Sequence, residues 1–93
     1  MGIYIKRSAA YPAVIRRCGG TFEARFVDIP NCVAMGSSAI EAEERAQSAL
    51  TTWAAVGQRY AWAMPAPSTV DRPSNRPDDY VTYIKLLPAT ELA

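Results

Sequence analysis

The chain has 93 residues, with 10 Lys and Arg against 9 Asp and Glu, and no His. A chain of this size is expected to form one domain over residues 1–93, with a thin stability margin, because it buries only about 60–65% of its unfolded surface. A net charge of +1 argues against a protein that grips nucleic acid by bulk charge, and the missing His excludes an imidazole base, a Ser–His or Cys–His pair and a His metal ligand.

Tyr11 to Arg16 has a continuous apolar centre, Ala13-Val14-Ile15, which suits a strand buried on both faces, with Pro12 at its start where a missing N–H is tolerated. Gly19-Gly20 is a strong turn signal, and Phe22 to Asp28 then alternates, with Phe22, Ala24 and Phe26 on one face and Glu23 and Arg25 on the other. The two runs predict a β-hairpin. Asp28-Ile29-Pro30-Asn31 is a break, Cys32 to Met35 is a third short strand, and Gly36 ends it.

Ser38-Ala39-Ile40-Glu41 is a capping box, in which the Ser38 hydroxyl accepts from the Glu41 N–H and the Glu41 carboxylate reaches back to the Ser38 N–H. Glu41, Glu43 and Glu44 crowd the first turns, where the helix dipole favours anions. Ala42, Ala46, Ala49, Leu50, Trp53 and Val56 form one stripe of a helix predicted over Ala39 to Gln58. Its alanines allow close approach to a sheet, and Trp53 supplies most of the apolar area near its end. From Tyr60 the chain becomes Pro-rich, a long connection with Trp62 and Met64 expected against the core. Tyr80 to Leu86 is the final strand, stopped by Pro88.

This order, β-β-β-α-β, predicts a two-layer α+β domain: an antiparallel meander, one helix on one face, and a last strand returning parallel to the first through a right-handed crossover. The other sheet face is expected to be bare in a monomer, with Tyr4, Tyr80 and Tyr83 as aromatic groups for self-association.

Charge is uneven. Residues 1–25 carry Lys6, Arg7, Arg16, Arg17 and Arg25 against Glu23, a net of +4, while residues 26–93 hold five basic and eight acidic groups, a net of −3. Positive charge on a hairpin edge discourages edge-to-edge pairing. No run approaches the ~20 apolar residues of a membrane span, and MGIYIKRS lacks the apolar core of a signal peptide. The expected location is the cytoplasm, with Cys18 and Cys32 as free thiols. Two thiolates without His do not complete a zinc site.

Several segments together resemble a known family. Tyr11-Pro12-Ala13-Val14-Ile15, Gly20-Thr21-Phe22, Phe26 to Val33, Gly36-Ser37-Ser38-Ala39-Ile40-Glu41-Ala42 and Met64-Pro65-Ala66-Pro67-Ser68 are similar, in order and spacing, to the N-terminal domain of HicB antitoxins. Asn31 stands where the family has Gly, and Ser37-Ser38 where it has Asp-Thr; both keep turn or capping chemistry. The resemblance implies a partial ribonuclease-H-like fold. It also implies a role in bacterial toxin–antitoxin systems: binding and neutralising a small toxin similar to HicA, an mRNA-cleaving ribonuclease, by covering its surface and its active-site His. Dimers or tetramers are common in the family. Many members add a C-terminal DNA-binding domain, and the few residues after Pro88 are expected not to supply one, which makes direct DNA binding an unfavoured expectation.

The residues themselves offer no catalytic set. A ribonuclease-H-like fold keeps carboxylates on its first strand for two metal ions, and Tyr11 to Arg16 has none. Glu41, Glu43 and Glu44 are explained by capping and dipole compensation, Ser37 and Ser38 start a helix, and Cys32 has no visible activator. The expectation is therefore no enzyme, no catalytic residue, no cofactor and no metal. Phe22 and Phe26 share a core face while Arg25 points away, which disfavours a basic–aromatic RNA platform. Acidic groups placed against the basic groove of an RNA-binding toxin are the expected partner contacts: Asp28, Glu43, Glu44, Asp78 and Asp79. Two alternatives stand beside this expectation: an RNA-binding or hydrolytic domain on the same fold, and an oligomeric module without a toxin.

Overall fold

Gly19-Gly20 joins the first two strands in the tightest hairpin possible. A computed structural model describes residues 10–60, 65–70 and 76–86, and in it β1 (Ala10–Cys18) and β2 (Thr21–Phe26) pair antiparallel from Ala13↔Phe26 to Cys18↔Thr21. Gly19 has φ 63°, the positive value that the first central residue of a II′ turn requires and that matches the twist of the flanking strands. A second turn follows at Ile29-Pro30-Asn31-Cys32. The Cys32 N–H donates to the Ile29 carbonyl at 3.3 Å, and Asn31 has φ 64°. Pro then a left-handed Asn is the pattern of a type II turn, so Asn31 does here what Gly does elsewhere. β3 (Val33–Gly36) then pairs antiparallel with β2, from Phe22↔Gly36 to Arg25↔Val33.

α1 (Ala39–Arg59) starts on a modified capping box. The Ser38 hydroxyl accepts from the Glu41 N–H at 3.1 Å as the sequence predicts. The Glu41 carboxylate reaches one residue further back than predicted, to the Ser37 N–H at 2.6 Å and the Ser37 hydroxyl at 2.9 Å. Burying Ala42, Ala46 and Leu50 completely against the sheet draws the first turn of α1 down onto the end of β3. Gly36 permits that approach: a Cβ there would meet the Ala42 backbone nitrogen at 2.5 Å. The core beneath α1 is Tyr11, Ala13 and Ile15 of β1, Ala24 and Phe26 of β2, and Ala34 of β3, with Ile29 between strands. Trp53 lies at its margin, half-buried, and Leu50 is the large helix residue fully enclosed.

The sheet order is β3-β2-β1-β4, and β4 (Tyr80–Lys85) pairs with β1 antiparallel, from Ala10↔Lys85 to Ile15↔Tyr80. This corrects the parallel return expected from the sequence, and the cause is the long connection. Residues 65–70 pass the start of β1 and the end of β2. There the Tyr11 hydroxyl donates to the Pro65 carbonyl at 2.7 Å, Asp28 holds Ser68 through its backbone N–H at 2.8 Å and its hydroxyl, and the Val70 N–H donates to the Tyr83 hydroxyl at 3.0 Å. By Asp79 the chain has reached Arg16, near the other end of β1. The connection has thus already travelled the length of the sheet, and β4 enters from the opposite end.

The face away from α1 is also less bare than expected. Pro12 is fully buried, and residues Val70 and Asp79 bond to side chains of β4 and β1. Tyr80 and Tyr83, expected together on one association face, lie on opposite faces, as a separation of three along a strand requires. Tyr4, Trp62 and Met64 lie outside the described residues.

Candidate partner-binding surface

The five acidic residues expected to meet a partner fall into two groups. Asp28 and Asp79 are committed within the chain. Asp28 holds Ser68, and the Asp79 side chain, 1% exposed, accepts from Arg16 Nε at 3.1 Å and Nη2 at 2.9 Å, with Arg76 at 3.7 Å. Both residues fasten the connection to the sheet. Asp78 and Glu44 are exposed, and Glu43 is half-buried. Asp78 lines a depression with Arg17, Gly19 and Arg76.

Glu43 and Glu44 stand apart from it, on α1. With Ile40 and Gln47 they form one wall of a groove whose other wall is β4 from Thr82 to Lys85. Ile40 is 69% exposed, the most exposed large apolar side chain among the described residues. It sits off the Ala42–Ala46–Leu50 stripe, so the helix period places it outside the core. Gln47 Nε2 crosses the groove and donates to the Lys85 carbonyl at 2.9 Å. At the other end the Tyr80 hydroxyl donates to Glu43 at 2.8 Å. Partial burial, then the bond and charge of Glu43, push the Tyr80 phenol up to about 12. Sequence reasoning picked out Glu43 and Glu44 and missed Ile40 and Gln47. The available signal was Ile40 itself, an apolar residue on the polar side of an amphipathic helix.

The chemistry of other sites is weaker. Cys32 is buried, and burial alone pushes its thiol up, away from the reactive thiolate; Cys18 is exposed, and neither is bonded to the other. Glu41 is held below the ordinary carboxylate range by its bonds from Ser37 and then by Arg45, 3.3 Å away. Among the described residues, no three acidic or thiol side chains gather as a metal ion would need. Phe26 is 4% exposed, under the helix and out of reach of a base. No described helix is long and apolar enough to cross a membrane.

No family model and no curated protein matches the sequence. A solved structure does match the fold. The chain is similar to a chain of a structure described as "HicA3 and HicB3 toxin-antitoxin complex". The TM-score is 0.67 at 19% identity, over 85% of this chain and 99% of that one. At that identity the likeness is one of fold: an antiparallel four-stranded sheet under a single helix.

Proposed function

We propose that this protein is an antitoxin-like partner of a small, HicA-like mRNA-cleaving toxin, which it neutralises by covering the toxin's active surface, without catalysis of its own. The observation that carries this reading is the fold likeness to a chain of a toxin–antitoxin complex over nearly the whole of that chain. The sequence segments similar to the HicB family support it, because they fall at the joints of this fold. Pro30-Asn31 makes the type II turn, Gly36 admits α1, Ser38 caps it, and the segment around Pro65 to Ser68 ties the connection to Tyr11 and Asp28. The order of β1 to β3 and α1 fits the partial ribonuclease-H-like arrangement, and the antiparallel β4 departs from it.

An RNA-binding toxin presents positive charge, and exposed carboxylates opposite it give speed and specificity of association. Glu43, Glu44 and Asp78 are the carboxylates this reading assigns to that role. Homo-oligomerisation and a cytoplasmic site of action belong to the same proposal.

The test is co-expression with the small reading frame adjacent to this gene. The expected result is a stoichiometric complex and growth restored where the small protein alone arrests it. Recovery of no complex together with no relief of toxicity would overturn the reading. A nuclease assay with Mg²⁺ and a salt titration of RNA binding test the hydrolytic and RNA-binding alternatives directly.

A further inference from the structure

The two edges of the sheet are treated differently. β3 is only 4 residues long. α1 begins directly against it, and Arg45 Nη1 donates to the Met35 carbonyl at 3.2 Å. Short length and a covering cation are standard ways to close an edge. β4 has 6 residues, and among the described residues no strand pairs with its outer side. In an antiparallel ladder every second residue turns its N–H and C=O away from the partner strand, so this edge carries a row of outward backbone groups that no described strand takes up. α1 stands off from it and leaves a groove of about 290 Å³ lined by Ile40, Glu43, Glu44 and Gln47 on the helix side. The Gln47 amide already donates one N–H to the Lys85 carbonyl there, the type of bond an added strand makes along its whole length.

We propose that the groove between α1 and the outer edge of β4 docks an extended basic segment of a partner protein, which adds a fifth strand to the sheet. Main-chain bonds supply the affinity in this mode, and alternate side chains supply the specificity. Side chains of an added strand point to opposite faces in turn. Those on the helix side meet Glu43, Glu44 and Ile40, so the complementary segment carries Lys or Arg interspersed with an aliphatic residue. Among the described residues no Lys or Arg pairs with Glu43 or Glu44; the polar partner of Glu43 is the neutral Tyr80 phenol. A second copy of this chain fits less well. Two such edges across a twofold axis would set two pairs of glutamates against two Lys85 side chains, a surplus of negative charge at one seam. The proposal deepens the toxin–antitoxin reading and takes from it only the identity of the partner.

The test uses the full chain, isotope-labelled, and a synthetic peptide of sequence Lys-Val-Lys-Val-Lys-Val-Lys as the probe. Saturable amide shifts are expected in residues 80–85 and 40–47, with binding weaker by about tenfold for Glu44→Lys and for a Glu-Val peptide of the same length. A peptide with Pro at its centre, which lacks one donor, should also bind less well. Glu44 is exposed, so its reversal leaves the fold intact; Ile40→Ser, at another exposed position, gives an independent variant. Shifts elsewhere, equal binding of the acidic peptide, or no saturable binding would overturn the proposal. So would sedimentation showing a dimer whose β4 amides are protected without peptide, which assigns the edge to a second copy. The toxin–antitoxin reading is scored separately by relief of toxicity, so either can fail while the other stands.

Discussion

Arg16 and Asp79 lie 63 positions apart, and the guanidinium donates through both Nε and Nη2 to one carboxylate oxygen of Asp79. Asp79 is almost fully enclosed while Arg16 is a third exposed. The pair is therefore unequal. Removing the arginine takes two hydrogen bonds from a desolvated carboxylate that keeps the longer contact to Arg76 at 3.7 Å, and that is the costly direction of breaking a partly buried ion pair. Arg16→Ala is expected to lower the melting temperature by about 5–10 °C, and Arg17→Ala, next in sequence but exposed, by much less. Thermal unfolding of the two variants side by side checks this; equal losses would mean that the clamp contributes little.

Gly36→Ala is expected to cost about 2–3 kcal/mol, the upper range for overpacking. Its Cβ would meet backbone, the Ala42 nitrogen at 2.5 Å and the Glu41 carbonyl carbon at 2.9 Å, and neither can rotate aside. The change forces α1 away from β3. Urea unfolding gives the magnitude, and the Glu41 and Ala42 amide shifts show whether the helix start has moved. Gly20→Ala, where a Cβ meets nothing within 4 Å, is the control.

Tyr80 supplies an alkaline prediction. Its phenol is raised from 10 to about 12 in the folded chain, so the folded state holds this proton more tightly than the unfolded state does. The stabilisation is complete below about pH 10 and disappears as pH rises through about 12. Tyr80→Phe removes this contribution to the alkaline loss. Glu43→Gln is expected to lower the phenol's titration without returning it to 10, because burial is the larger cause. Tyrosinate absorbance during a pH titration reads both.

Glu41 acts at the other end of the pH scale. Its folded value is depressed by the Ser37 bonds and by Arg45, so its contribution is present above about pH 4.5 and is lost as pH falls through the lower folded value. Stability measured between pH 6 and pH 3 should fall less steeply for Glu41→Gln than for the parent, from a lower starting point. Identical slopes would show that the cap is not ionised in a folding-dependent way.

The two cysteines should separate cleanly in a thiol-labelling experiment. Cys18 is exposed and Cys32 is buried with a raised thiol pKa. Aromatic disulfide reagent at neutral pH is expected to modify Cys18 at once and Cys32 only at the rate of unfolding. Fast modification of both would place Cys32 at the surface.

Much of the fold is written in local sequence. Gly19-Gly20 announces the hairpin, Phe22, Ala24 and Phe26 announce the inward face of β2, and Ser38 with Glu41 announces the start of α1, because each signal acts over a few residues. The direction of β4 is not legible in this way. It depends on where a Pro-rich connection is fastened, through Tyr11–Pro65, Asp28–Ser68 and Arg16–Asp79, pairs separated by 54, 40 and 63 positions. The same contacts explain the site. Asp28, Asp79, Glu43 and Glu44 are all acidic, and only the folded chain shows that Asp28 and Asp79 fasten the connection while Glu43, bonded to Tyr80, and Glu44 line the groove. The opposed faces of Tyr80 and Tyr83 were legible, since strand parity alone requires them.

β1 is a central strand whose second neighbour is the last strand among the described residues, and that has a consequence for how the protein is made. From Ala10↔Lys85 to Ile15↔Tyr80, one side of β1 waits until a strand 65 to 75 positions further along has been made. Pairings so distant along the chain slow the search for the native state, and a nascent chain holding an unfilled central strand exposes apolar surface meanwhile. Until β4 is released, the newborn protein is a candidate for proteases and for premature capture by whatever strand comes first. Its supply in the cell is then governed by the time it takes to close one seam.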